Sequence, residues 1–248
     1  MISILNHRTV RKYRNIAVSE KVIAEICKAG TRAANTGNMQ VYSMIVTTDN
    51  AIKEQLWECH FKQDMVKQAP VVITFCADFN RFNKWCKLRQ AEPGYDNFLS
   101  FVTASVDALL VAQNVVIAAE DKSLGTCYLG TTTYMASKII EVLKLPKGVV
   151  PITTIVAGYP DENPGLTDRL PDEAVVHFNT YKDYSDEDIE RLYAEKEALP
   201  FYQDLLKVNN KNTLAQIFTD IRYKKTDNIA FSKSLLKVLE DQGFMNNA

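Results

Sequence analysis

The sequence predicts a mixed α and β domain built around one long central helix, and three observations carry that expectation. Residues 101–119 run without a Gly or Pro, and their polar residues Thr103, Asp107 and Asn114 fall on one narrow stripe. Short apolar runs rich in β-branched residues recur at 41–48, 71–76, around Tyr128 and at 149–157, which is how strands read. Helical periodicity fills the intervals, and from residue 181 onward the strands stop and the charge density rises. A helix so nearly apolar all round must be covered on several sides, so 101–119 is expected at the centre of the fold and shared with a partner subunit. Its length would just allow a membrane span, but Asp107, Gln113 and Asn114 lie mid-segment. A central Asp alone costs roughly 3 kcal/mol on insertion scales, so the segment reads as soluble core with no membrane partner.

The 248 residues suffice for a substantial core, and the net charge of -1 hides an asymmetry. Residues 1–18 carry His7, Arg8, Arg11, Lys12 and Arg14 with no acid. Such a start can be a transit peptide, yet this one is poor in Ser and runs straight into a helical pattern, so it is expected to belong to the fold. Five cysteines, at 27, 59, 76, 86 and 127, form no CxxC pair and follow no secretory signal, which predicts reduced thiols and a cytoplasmic protein. Three histidines, at 7, 60 and 177, are too scattered for a metal site, and nothing in the bulk charge argues for nucleic acid.

In order along the chain, residues 2–6 start a short apolar turn or helix that leads into His7-Arg-Thr-Val-Arg11. If the chain is extended after Arg8, side chains 7, 9 and 11 face one way and 8 the other, an arrangement that suits an anion or, equally, a solvated basic patch. Ser19 reads as the N-cap of a helix to about residue 33, followed by the small polar loop Asn35-Thr-Gly-Asn38. Residues 49–59 read as a helix with Ile52, Leu56 and Trp57 inward. Gln63 lies between that helix and the strand at 71–76, and its planar amide offers a donor and an acceptor to an amide-imide edge. Residues 78–94 form a helix and loop whose Phe79, Phe82 and Trp85 read as core or interface. After the central helix, Gly125 turns the chain, a short strand carries Tyr128, and Gly130 lets backbone approach something flat or charged. A helix at 135–145 closes at Pro146, and Arg169 sits in a Pro- and Gly-flanked loop suited to a bidentate phosphate contact. The tail shows helical patterns at 186–199, 214–223 and 229–242. No linker or repeat divides the chain, so 1–248 is expected as one domain, with 181–248 a helical extension packing on the body or a partner.

Glycine-rich nucleotide loops, a GxSxG elbow, paired-carboxylate motifs and HExxH are all missing from the sequence. Scattered anion and amide binders without acid-base machinery point to a bound cofactor that carries the chemistry. The chain resembles the flavin-dependent nitroreductase family, in its larger NADPH-linked nitroreductase and flavin reductase branch, essentially end to end. The resemblance rests on His7-Arg-Thr-Val-Arg11, Gln63 with Ala69-Pro and Phe75-Cys-Ala-Asp-Phe-Asn-Arg81, Val106-Asp-Ala, Ala112-Gln-Asn and Ile117-Ala-Ala-Glu120. It continues in Gly125-Thr-Cys-Tyr-Leu-Gly130, Gly158-Tyr-Pro, Asn163-Pro-Gly-Leu166, Arg169-Leu-Pro171 and Asp241-Gln-Gly-Phe244.

The resemblance implies an α+β fold: a mixed sheet flanked by helices, a long central helix and a C-terminal helical extension, in a homodimer with flavin sites at the subunit interface. It implies bound FMN, NADPH or NADH as hydride donor, and small flat acceptors such as nitroaromatics, quinones or flavins. Carried over by position, His7, Arg8 and Arg169 would hold the phosphate, Thr9 and Arg11 would reach the ribityl chain and pyrimidine edge, and Gln63 would hydrogen-bond the ring. Asn35 stands where the family often has Ser, and Tyr128, Leu129 and Gly130 would form the backbone wall beside the ring. Thr131 and Thr167 complete the implied cofactor-binding set, with flavin N5 rather than any side chain carrying the chemistry. Thr131, Thr133 and Thr167 depart from the branch, which usually has Gly, Arg and Lys there, so two cations near the flavin are replaced. Lys207 and Lys211 are candidate 2′-phosphate binders, or else part of a solvated loop. Two other outcomes fit the resemblance: a flavin-binding protein without turnover, and a superfamily member with another reductive outcome.

Overall fold

The computed structural model describes residues 2–247. The chain divides into two compact units, Met1–Gly165 with Phe231–Ala248, and Leu166–Ala230. The second unit starts at Leu166 and its first α-helix at Asp186, while residues 231–248 group with the first unit.

The first unit is organised on a four-stranded sheet of order β1-β2-β4-β3, with β1 Tyr42–Thr47, β2 Val71–Asp78, β3 Gly125–Leu129 and β4 Val149–Gly158. All neighbouring pairs run antiparallel, so the sheet is antiparallel rather than mixed. Among the described residues the one parallel pairing is the isolated bridge between Thr9 and Thr126. The helices are α1 Ile2–Leu5, α2 Glu20–Gly30, α3 Asn50–Cys59, α4 Asp64–Gln68, α5 Asn80–Leu88, α6 Phe98–Asp121 and α7 Ala136–Leu143. Ser19 and Asp49 cap α2 and α3 by accepting from the backbone of Val22 and Ile52.

Both sheet faces are covered. On one, Val71, Ile73, Phe75 and Ile155 pack against Ala108, Val111, Ala112 and Val115 of α6 and against Ile26 of α2. On the other, Val72, Val156, Cys127 and Leu129 meet Leu56 and Cys59 of α3 and Ile139 of α7. Burying the β2 and β4 side chains on two faces explains why those strands read as continuous apolar runs. The inward face of α3 differs from expectation. Ile52 is 36% exposed, and Lys53 is buried in its place with Nζ donating to Ala69 O at 3.0 Å. The turn before β3 also differs, because Ser123 takes the left-handed conformation at φ 60° while Gly125 is already the first strand residue.

The second unit contains α8 Asp186–Ala198, α9 Pro200–Asn209 and α10 Leu214–Gln216, the last continuing as a π-helical turn over Ile217–Arg222. Its core gathers Tyr202, Leu214 and Ile217. The α9 helix has no counterpart in the sequence expectation; Pro200 serves at its first helical turn. The final helix, α11 Lys225–Gln242, runs into the first unit from Phe231.

Candidate active site

The site is laid out along β3. Val10 N donates to Thr126 O, Arg14 N to Tyr159 O, and Lys12 O accepts from Asp161 N, each at 2.9 Å, so residues 9–14 cover the exposed edge of the sheet. Val10 and Tyr13 are buried beneath this segment, and Tyr13 OH donates to Val10 O at 2.5 Å. Burial pushes the Tyr13 phenol far up, which keeps it a neutral donor. Gly125 is what admits Val10. A Cβ there would lie 2.6, 2.7 and 2.9 Å from Val10 Cγ2, Cβ and Cγ1.

With Val10 inward, His7, Arg8 and Thr9 remain half-buried and Arg11 exposed. Glu162 Oε1 accepts from Arg11 N at 2.5 Å and Lys12 N at 3.1 Å, fixing the backbone that carries these cations. A cavity of about 280 Å³ opens beside them, lined by Arg8, Glu120, Gly125, Glu162 and Asn163 among others. Two candidate anion binders already hold partners: His7 Nδ1 meets Glu120 Oε1 at 2.5 Å, and Arg8 Nη1 donates to Asn163 Oδ1 at 2.7 Å.

At the far end of β3, Tyr128 is partly exposed, Leu129 is buried and Gly130 is exposed, with nothing within 4 Å of where its Cβ would stand. Burial raises the Tyr128 phenol to about 12, and its OH lies 3.4 Å from Gln113 Oε1. Thr131 Oγ1 sits 2.8 Å from Nδ1 of His60, the residue that caps α3. The chain then passes through two left-handed residues, Phe61 at φ 55° and Lys62 at φ 56°, before Gln63 caps α4. Consecutive left-handed non-glycine residues are costly and persist only where hydrogen bonds over-determine them. Here Lys62 N donates to Trp57 O at 3.0 Å, and Gln63 donates to His60 O through its backbone N at 3.2 Å and through Nε2 at 3.0 Å. Thr131 and Gln63 are therefore both tied to His60, a residue that no spacing argument singles out.

The remaining candidates hold other partners. Asn35 Oδ1 accepts from Gln40 N at 3.3 Å, and Thr36 donates to the buried Asp107 Oδ1 through N at 2.9 Å and through Oγ1 at 3.2 Å. No hydrogen bond among the described residues joins Asn35 to Gln63 or to residues 128–131. Thr167 and Arg169 belong to the second unit, where Arg169 Nη1 donates to Thr167 O at 3.2 Å and Asp168 O at 2.9 Å. Lys207 and Lys211 pair with Asp204 at 3.2 Å and Asp220 at 2.8 Å, which occupies both candidate 2′-phosphate binders. Cys127 is buried, and burial raises its thiol, so it is an inert part of the core.

An α+β domain with cations at one end of an edge strand, an open glycine at the other and no nucleophile beside a base defines a ligand-binding scaffold suited to an organic redox cofactor. The chain belongs to the nitroreductase family: the family model described as "Nitroreductase family" matches residues 4–159. It is 33% identical over 187 residues to the FMN reductase (NADPH) of Bacillus subtilis, covering 75% of each chain. It is 35% identical over 176 residues to the oxygen-insensitive NADPH nitroreductase of Salmonella typhimurium, covering 71% of this chain and 72% of that one. Among solved structures, a putative oxidoreductase from Bacteroides fragilis superposes with TM-score 0.98 at 51% identity, covering 99% of this chain and 100% of the other.

Proposed function

We propose that the chain is an FMN-dependent oxidoreductase that takes a hydride from NADPH or NADH and passes two electrons to small flat acceptors, of the nitroaromatic, quinone or flavin class. The observation that carries this is the polarity of the strand edge. From Gly125 to Gly130 the chain advances five residues, roughly 17 Å at about 3.4 Å per residue. His7, Arg8 and the cavity lie at its start, and the open Gly130, Thr131 and the Gln63 amide lie at its end. Such an edge fits a ligand that is anionic at one end and flat, with an imide edge, at the other, which is the chemistry of FMN. The isolated parallel bridge of Thr9 with Thr126 sets the basic segment beside β3, and Glu162 holds the Arg11 backbone close to the cavity.

Bound FMN would supply the two-electron chemistry, and the chain's own residues bind and orient it. His7 and Arg8 would hold the phosphate, Arg11 would add positive charge nearer the ring, and Gln63 would meet the imide edge. Thr131, Thr133 and Thr167 add no charge, so this site would favour the reduced cofactor less than one with the cations usual in the branch. With no protein nucleophile in use, hydride donor and acceptor would occupy one open face in turn, which makes turnover ping-pong.

The homodimer belongs to the same proposal. The face of α6 turned away from the sheet carries Leu99 at 74%, Val106 at 49% and Leu109 at 47% exposure, with Val102 and Leu110 beside them. An apolar stripe of this extent on a central helix marks an interface, and a second copy is the partner that the family resemblance supplies. A cytoplasmic setting accords with five unpaired cysteines.

The test is to saturate the purified protein with FMN, add NADPH under nitrogen and follow the flavin absorbance. Bleaching, with recovery on adding a quinone, supports the reading. Folded protein that stays colourless in excess FMN overturns it, and bound flavin that never bleaches leaves a flavin-binding protein without turnover.

A further inference from the structure

His60 is fully buried, and its Nε2 has no hydrogen-bond partner among the described residues. Its other ring nitrogen faces Thr131 Oγ1 at 2.8 Å. Two tautomers fit that contact. With the proton on Nε2, a buried N–H is left bare and the Thr131 hydroxyl must spend its proton on His60. With the proton on Nδ1, only a lone pair is left bare, and Thr131 receives a hydrogen bond. Bare buried N–H groups are the rarer fault in folded proteins, so the second tautomer is preferred. Burial also holds the ring neutral by lowering its pKa to about 4, so a doubly protonated ring does not arise near neutral pH.

The same residue fixes Gln63. The His60 carbonyl can only accept, so the Gln63 amide must turn Nε2 towards it, as the 3.0 Å contact shows, and Oε1 faces away. His60 thereby leaves one outward acceptor, on Gln63, and one hydroxyl whose proton has no acceptor among the described residues, on Thr131.

We propose that His60 is a positioning residue that turns the Thr131 hydroxyl into a donor towards the ring end of the bound ligand. Donor and acceptor together match a heterocycle with neighbouring carbonyl and N–H groups. The inference rests on the FMN reading, and it gives a task to Thr131, where this chain departs from the glycine usual in its branch.

The experiment uses the full-length protein reconstituted with FMN, as wild type, Thr131→Val, Thr131→Ser and His60→Phe. FMN dissociation constants, the midpoint potential of bound FMN and thermal stability are measured for each. Thr131→Val is expected to bind FMN about tenfold more weakly, the scale of one hydrogen bond. Because a donor to the ring gains strength as charge builds on reduction, reduced FMN should lose about a further tenfold, which lowers the midpoint potential by about 30 mV for a two-electron couple. Thr131→Ser keeps the hydroxyl and should stay within about twofold of wild type. His60→Phe should shift the potential in the same direction as Thr131→Val, and combining the two should add little, because both remove one hydrogen bond. A contact that is merely structural would move thermal stability and leave the potential alone. FMN bound by Thr131→Val with wild-type affinity and potential overturns the inference, as does a Thr131→Ser variant as impaired as Thr131→Val. If His60→Phe does not fold, the two Thr131 variants decide. A folded wild type that takes up no FMN overturns the flavin reading itself.

Discussion

Replacing Gly125 by Ala should loosen the N-terminal segment and weaken FMN binding with it. The added methyl would stand 2.6 to 2.9 Å from three atoms of the buried Val10 side chain, distances that real Cβ atoms do not show. Overpacking of this kind costs typically about 1 to 3 kcal/mol if the structure absorbs it. The alternative is for the segment to lift away, losing about 1.5 to 3 kcal/mol of Val10 burial and about 1 kcal/mol for the bond from Val10 N to Thr126 O. The two ranges overlap, so the variant should sit near the balance, with residues 7–11 docked only part of the time. With the segment docked about half the time, FMN titration should show affinity reduced by about twofold, and limited proteolysis should cut within residues 1–18 faster than in wild type. Adding Val10→Gly removes every clashing atom, so the double variant should be less impaired than the sum of the single ones. Wild-type FMN affinity and protease resistance in Gly125→Ala would refute the idea that this glycine exists to seat Val10.

Four further outcomes are expected. Arg8→Ala should weaken FMN binding by about 1.5 to 3 kcal/mol, as for a hydrogen bond to a charged group, with little change in thermal stability; unchanged affinity would place the phosphate elsewhere. His60 has its folded pKa lowered by burial to about 4 from an ordinary 6.5, so the unfolded chain binds the extra proton first. Its stabilising effect should be complete above pH 6.5 and be lost as the pH falls towards 4, by about 3 kcal/mol in all, and urea unfolding at pH 7 and 4.5 should find that loss reduced in His60→Phe. Light scattering at micromolar concentration should give a dimer, and Val106→Glu, which puts a charge on the exposed stripe of α6, should give monomers; a wild-type monomer with flavin bound would contradict the interface. Initial rates over a grid of NADPH and acceptor should give parallel double-reciprocal lines in wild type and in Cys127→Ser; intersecting lines would rule out ping-pong turnover, and a loss of kcat beyond about a hundredfold in a variant that still binds FMN would bring the thiol into the reaction.

The parts of the fold legible in the sequence are those that local chemistry decides. Residues 101–119 fall inside α6 because no breaker interrupts them, and Ser19 caps α2 because a short oxygen-bearing side chain there meets an otherwise bare N–H. The errors lie where a distant contact or an unusual backbone decides. Lys53 occupies the inner face of α3 because its apolar stem can be buried once Nζ finds Ala69 O, something a hydrophobic pattern does not record. Ser123 rather than Gly125 makes the left-handed turn, because Gly125 was needed without a side chain for packing against Val10, 115 residues earlier in the chain. In the site, the basic character of residues 7–11 and the amide of Gln63 were legible as residue types. The role of His60 was not, since it depends on a contact 71 residues away with Thr131.

Those distant contacts also set how much each candidate cation can contribute. A lone arginine in water meets a phosphate at the cost of its hydration, whereas Arg8 in this fold already donates to Asn163 and His7 already faces Glu120. Phosphate binding at this end would therefore be an exchange of partners, and the Glu120 carboxylate would resist an incoming dianion unless His7 is held between them. The pre-existing bonds fix the two side chains in place, which lowers the entropy lost on binding, while the partners given up lower the energy gained. Arg11 is different: its backbone is held by Glu162, and its side chain is exposed. Of the three N-terminal candidates, Arg11 keeps its side-chain charge freest, and Thr131 and Thr133 add none at the proposed ring end. In the proposed site, the anchoring groups and the freest cation thus come from one five-residue stretch, held beside β3 by the buried Val10 and by the bond from Val10 N to Thr126 O.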